Sequence, residues 1–387
     1  GSRLWDVDGT EYTDFCLGDT GSMFGHSPDV VVEAIRRRAS DGITTMLPSQ
    51  DAAVVADLLA ERFQLPFWQL AMSATDANRF VLRLARALTG RSKTLVFNGC
   101  YHGSLDESLV ELDSIGNTIK RSPIDPNPGL PADVSSAVIE FNDVEALEAA
   151  LADGNIACVL AEPIMTNCGM VLPDEGYHAA LRELTTQYGV YLIIDETHTL
   201  SIGYGGYTRE YGLEPDFLVF GKAIAGGVPI AGYGFSDEIA SAHAVMFDSG
   251  PQRIWGEFGV GGTLTANAFA VAVLRASLEG LATKEAFAHM VKLGKVLAGT
   301  VLGELDPTVE PDLGHDSRQC SPSRHLPVHQ RRLVVLGDSP LTFAKRSGTT
   351  RGASAPWRSG TIRPTLHPMI RPTRPVSPER YPDHVFL

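Results

Sequence analysis

Four short apolar runs stand out along the chain: Leu95-Val96-Phe97, Cys158-Val159-Leu160-Ala161, Tyr191-Leu192-Ile193-Ile194 and Phe217-Leu218-Val219-Phe220. None alternates apolar with polar, so each reads as a strand buried on both faces, as parallel sheets require. Between the runs, apolar residues return at helical spacing over residues 77–88, 144–152 and 177–188. Strand and helix in alternation predict an α/β fold with a mainly parallel central sheet, right-handed crossovers and helices on both faces. Such sheets bind ligands at the carboxyl ends of their strands, which directs attention to the polar residues just after each run.

Asp195 follows one run directly, and Lys222 follows another after a single glycine. An ammonium at the end of a buried strand is costly unless it is paired or gives up its proton. A neutral amine there can bond an aldehyde. Pyridoxal 5'-phosphate needs such an amine, a carboxylate that keeps its ring nitrogen protonated, and donors for its phosphate. Asp195 can be the carboxylate. Ser73-Ala74-Thr75-Asp76, which opens the helical stretch from Ala77, offers free amides and a positive dipole end for the phosphate. Tyr101-His102-Gly103 follows the first run and provides an aromatic ring to stack. Glu162-Pro163, with Asn167 nearby, ends another strand. Taken one at a time, these residues have plainer readings. Asp195-Glu196 also suits a helix cap, Lys222 a solvated loop, Ser73 an ordinary N-cap and Tyr101 a core aromatic beside a turn.

Charge and composition narrow the alternatives. The chain has 387 residues and a formal charge of −14, which disfavours nucleic acid as a partner. No apolar run approaches the roughly 20 residues of a membrane helix. The opening residues lack a basic-then-apolar secretory pattern, so a cytoplasmic location is expected. Five cysteines without zinc-type spacing read as reduced thiols, and no metal is expected. There is no phosphate loop, no strand-to-helix dinucleotide fingerprint among Gly203, Gly205 and Gly206, and no Gly-x-Ser-x-Gly elbow. Residues 312–387 differ from the rest: they hold twelve of the 32 Lys and Arg, five of the 46 Asp and Glu, and ten of the 24 prolines. Two readings compete for this tail, a disordered basic extension and a frameshifted read-through. The second is favoured because residues 284–310 look like the start of a domain that then breaks off.

Read in order, eight stretches resemble the class III aminotransferase family, on the branch near glutamate-1-semialdehyde aminomutase and the amine and β-amino-acid transaminases. They are Arg3-Leu4-Trp5-Asp6-Val7-Asp8-Gly9 with Tyr12 and Asp14; Gly25-His26; Ser73 to Asn78; Tyr101-His102-Gly103; Ala161-Glu162-Pro163 with Asn167; Ile194-Asp195-Glu196-Thr197; Gly221-Lys222; and Gly262-Thr263-Leu264 with Asn267. The resemblance implies a fold type I pyridoxal-phosphate-dependent transferase. It implies an N-terminal small-domain segment at 1–45, a large cofactor-binding domain at 46–280 and the start of a smaller, incomplete C-terminal domain at 281–311. Lys222 would be the Schiff-base lysine and proton shuttle, with Asp195 on the ring nitrogen. Ser73, Ala74 and Thr75 would hold the phosphate, and Tyr101 and Thr197 would flank the ring, with His102 also at the cofactor. Asn167 would support Asp195 or the cofactor hydroxyl, and Thr263 would reach the phosphate of a second subunit in a homodimer. Alanine stands at 74 where the family usually has glycine, and Asp19 where the aminomutase has tryptophan. The implied activity is amino transfer from a small amine or amino acid donor to an oxo acceptor. The rival readings are an aminomutase-like isomerase and an inactive fragment of the family.

Overall fold

The computed structural model describes residues 1–121, 131–249 and 259–305. The expectation for the tail at 312–387 lies outside them. A hairpin of β1 (Arg3–Trp5) and β2 (Glu11–Thr13) leads into α1 (Asp29–Ala39) and α2 (Gln50–Phe63). Then come β3 (Phe67–Ala71), α3 (Ala74–Thr89), β4 (Lys93–Phe97) and the small pair β5 (Val110–Leu112) and β6 (Thr118–Lys120). The middle of the chain alternates: α4 (Ala132–Ser135), β7 (Ser136–Ile139), α5 (Val144–Ala152), β8 (Ile156–Ala161), α6 (Tyr177–Gln187) and β9 (Tyr191–Asp195). It continues with α7 (Gly206–Glu210), β10 (Phe217–Phe220), β11 (Ala231–Phe235), α8 (Asp237–Ser249), α9 (Ala268–Gly280) and α10 (Lys284–Leu305).

Seven strands form the central sheet in the order β3-β11-β10-β9-β8-β4-β7. Every pairing from β10 to β7 is parallel, and β11 runs antiparallel to both of its neighbours. The expected mainly parallel α/β sheet is therefore present. The four apolar runs are its central strands β4, β8, β9 and β10, and each lies buried almost throughout.

Strand β10 makes the layering visible, because successive side chains point to opposite faces. Phe217 and Val219 join the core that includes Val81 and Ala85 of α3, whereas Leu218 and Phe220 join a second core with residues of α1, α2 and α9. Helices thus cover both faces of the sheet there, which is why a run of four apolar residues without alternation is stable as a strand. Helix α3 starts at Ala74, three residues earlier than the apolar periodicity marks, and ends at Gly90 in a left-handed cap.

Strand β11, Ala-Gly-Tyr-Gly-Phe, carries little of the apolar signal. A side chain at Gly234 would meet the Trp68 ring at 2.5 Å, so the strand is kept bare where that indole lies against it. Among the described residues no helix is long and apolar enough to cross a membrane.

Candidate active site

Strands β9 and β10 deliver Asp195 and Lys222 to the same edge of the sheet, and α3 begins beside them. A cavity of about 350 Å³ at this edge is lined by Ser73, Ala74, Thr75, Tyr101, His102, Asp195, Thr197 and Lys222. Eight of the ten residues singled out in the sequence therefore share one cavity.

Asp195 is 4% exposed, and its carboxylate accepts four hydrogen bonds. Oδ2 takes the Asn78 amide and the His102 ring, each at 2.9 Å, and Oδ1 takes the Thr197 backbone amide at 3.0 Å and its hydroxyl at 2.5 Å. Burial alone would raise its pKa, but the His102 bond and charge, with Thr197 and Asn78, outweigh that and lower it to about 2. Burial likewise works against a charge on His102. The Cys100 sulfur and the bond to Asp195 prevail, and its pKa is raised to about 10. The two form a buried imidazolium–carboxylate pair, so Asp195 stays ionised.

Ser73 is extended, and its Oγ accepts from the Asp76 amide at 3.2 Å while donating to the Asp76 carboxylate at 3.0 Å. This reciprocal cap satisfies one of the four orphan amides of the helix start. The amides of Ala74 and Thr75 lie ahead of the helical ladder, where an anion can use them. Thr75 Oγ1 accepts from the Ser104 amide at 3.2 Å. Gly103 has φ +90°, and a Cβ there would fall 2.1 Å from Thr75 Oγ1. The turn after Tyr101-His102 packs against the helix start because residue 103 has no side chain.

Lys222 opens a short 3-10 turn with φ 49°, in the left-handed region that a lysine seldom adopts. Its Nζ lies 3.0 Å from Asp19 Oδ2 and 2.5 Å from His198 Nε2. The ammonium at the strand end is thus paired. Neither partner was assigned a role from the sequence, although His198 stands only three positions after Asp195 and Asp19 drew notice as a departure. Glu162, also in the cavity wall, is buried, which pushes its pKa up; its carboxylate is bonded to Thr166.

Two expected residues sit elsewhere. Asn167 donates to Glu162 Oε1 at 3.5 Å and Thr166 Oγ1 at 3.3 Å, and the support expected from it for Asp195 comes instead from Asn78, His102 and Thr197. Asn78 reaches Asp195 because α3 runs beneath the ends of β9 and β10, whereas Asn167 folds back on its own loop. Thr263 lines a second cavity of about 420 Å³, with Thr45, Met46, Leu47 and Asn267.

The amine of Lys222, the ionised carboxylate of Asp195, the amides of a 16-residue helix and the Tyr101 ring meet the chemical needs of pyridoxal phosphate. The model of the family described as aminotransferase class-III matches residues 1–307. Glutamate-1-semialdehyde 2,1-aminomutase from Sulfurihydrogenibium azorense is 35% identical over 303 residues, spanning 77% of this chain and 68% of that protein. A glutamate-1-semialdehyde aminomutase from Pseudomonas aeruginosa PAO1 superposes with a TM-score of 0.75 at 51% identity, over 79% of this chain and 68% of the other. An omega-transaminase from Sphaerobacter thermophilus gives 0.70 at 31% identity, over 79% and 70%.

Fold and cavity together define a pyridoxal-phosphate-dependent transferase of fold type I. Within that class the chain belongs to the class III aminotransferase family, and its activity is that of a pyridoxal-phosphate-dependent aminotransferase.

Proposed function

We propose that Lys222 holds the cofactor's aldehyde carbon and that this cavity moves an amino group from a small amine or amino acid to an oxo acid or aldehyde. The observation that carries the assignment is the meeting of Lys222, Asp195 and the start of α3 in one cavity. Bound pyridoxal phosphate supplies an aldehyde that takes up amino groups and a protonated ring that draws electrons from the neighbouring carbon.

The protein's own groups have separate tasks. With the cofactor bound, the Nζ of Lys222 would be the group that takes the proton from the carbon bearing the donor's nitrogen. Asp195, held ionised by His102 and Asn78, keeps the ring nitrogen protonated. Its four acceptor positions are filled, and Thr197, which lines the cavity, holds one of them through a hydroxyl free to rotate. Ser73, Ala74 and Thr75 would bind the phosphate at the helix start, and Tyr101 would stack on the ring. His102 acts from behind Asp195. Asn167, bonded to Glu162 of the cavity wall, would support the cofactor hydroxyl.

Thr263 would serve the phosphate of a second subunit. Its place in a different cavity from Lys222 supports that division of labour, and a homodimer is the assembly proposed. A cytosolic location fits the absence, among the described residues, of a helix able to span a membrane.

Borohydride reduction of the cofactor-loaded protein, followed by peptide mass spectrometry, should place a reduced adduct on Lys222, and Lys222→Ala should abolish both the adduct and the absorbance band of the lysine-linked cofactor. An adduct on any other lysine refutes the assignment. The aminomutase relatives motivate a second reading, in which one substrate undergoes both halves of the exchange. Turnover that requires an added keto acid supports the transaminase; turnover without one supports the isomerase.

A further inference from the structure

We propose that Asp19 selects the amino donor by charge, favouring amines with no carboxylate beside the amino group over α-amino acids. The inference rests on the aminotransferase reading of the Lys222 cavity and names its substrate class.

Asp19 is held beside Lys222 by an unusual piece of backbone. Leu17, Gly18, Asp19 and Thr20 all have positive φ, between 55° and 64°. Leucine and threonine adopt that region only against steric opposition. The turn is fastened at both ends: Asp14 Oδ1 accepts the Cys16 and Leu17 amides at 2.8 and 2.9 Å, and the Ser22 amide donates to Leu17 O at 2.8 Å. The Thr20 hydroxyl lies 3.2 Å from His198 Nδ1, tying the turn to the loop after β9. The result is a carboxylate 3.0 Å from Lys222 Nζ and 4.0 Å from His198 Nε2, on a side chain 74% exposed to solvent. It lies within hydrogen-bond reach of the amine that would hold the cofactor.

Partial desolvation works against its charge, but the bond to Lys222 and the charges of Lys222 and His198 outweigh it and hold its pKa below the ordinary value. It is therefore anionic at neutral pH.

Amino exchange brings the donor's nitrogen to the carbon that Lys222 Nζ holds, so Nζ marks where that nitrogen arrives. The carboxylate of an α-amino acid is two bonds from the nitrogen and would come close to Asp19. Like charges about 5 Å apart at a protein surface disfavour such a donor by roughly tenfold or more. The basic groups of the wall are already engaged, Lys222 and His198 with Asp19 and His102 with Asp195. Among the described residues lining the cavity the basic groups are Lys222, His198 and His102, with Glu162 and Asp195 as further carboxylates and no arginine.

Butylamine and norvaline differ only by the α-carboxylate, and their half-reactions are read from loss of the cofactor absorbance in the loaded full-length protein. The natural chain should prefer butylamine. Asp19→Asn should lower that preference about tenfold, and Asp19→Glu should retain it. A second readout needs no turnover: in calorimetric titrations pentanoate should bind Asp19→Asn about tenfold more tightly than the natural chain. Equal use of the two donors, an unchanged preference in Asp19→Asn, or equal pentanoate affinities would overturn the proposal. Absence of a borohydride adduct on Lys222 would instead sink the aminotransfer assignment, and the pentanoate comparison would still decide whether the Asp19 charge rejects carboxylates.

Discussion

His102 Nδ1 lies 2.9 Å from Asp195 Oδ2, and neither side chain reaches solvent appreciably. The pair links protein stability to pH in a defined way. His102 binds its proton more tightly folded than unfolded, so its contribution is complete below 6.5 and is lost as pH rises towards about 10. Asp195 behaves oppositely: its contribution is complete above 3.8 and is lost as pH falls towards about 2. The melting temperature should therefore decline on the alkaline side between pH 6.5 and about 10. His102→Gln should flatten that decline, and an identical alkaline slope in the variant would contradict the pairing.

Asn78 is fully buried and donates both to Asp195 and to the backbone oxygen of His102. Asn78→Ala leaves those two acceptors short of a donor in a place water does not easily reach. Urea denaturation should register a loss of about 1–3 kcal/mol. A change below the scatter of the extrapolation would remove Asn78 from the support of Asp195.

Gly103→Ala tests the helix start. The added methyl must displace Thr75, because the two would otherwise be 2.1 Å apart, and the backbone at φ +90° opposes alanine as well. If Thr75 holds the phosphate, absorbance titration with pyridoxal phosphate should give a dissociation constant about tenfold higher or more, equivalent to roughly 1.4 kcal/mol. Unaltered affinity would place the phosphate elsewhere.

Arg62 belongs to the scaffold. It is 1% exposed, donates to the oxygens of Leu278 and Ala282 at the end of α9, and carries the Tyr204 ring 4.1 Å from its guanidinium carbon. Arg62→Met should cost about 2–3 kcal/mol in chemical denaturation, because two carbonyls of the helix end lose their charged donor. Arg62→Lys should recover only part of this, since an ammonium lacks the planar fork and stacks poorly.

How much of this was legible beforehand depends on burial. Strands β4, β8, β9 and β10 were readable because both faces are covered and each carries an unbroken apolar run of three residues or more. By contrast β3 and β7 are sheet edges whose apolar residues are interrupted by Gln69 or led by Ser136, while β11 gives up apolar side chains to make room for Trp68 and Phe220. In the site, residues at strand ends and at the start of α3 could be placed, since chain position dictates where they emerge. The partners of Lys222 could not. Asp19 reaches it through a left-handed turn that no periodicity announces, and His198 is fixed by Thr20 from 178 positions away.

The antiparallel course of β11 bears on the order in which the site assembles. Phe220 and Gly232 are paired partners twelve positions apart, so the strand end that carries Lys222 can form from comparatively local contacts. The contacts of Asp195 span 93 residues to His102 and 117 to Asn78, and closing such long stretches slows folding far more than closing a hairpin. The strand end that carries the amine would thus pair before the carboxylate and the helix start close around it. Cofactor capture then reports the last long-range closure rather than the first.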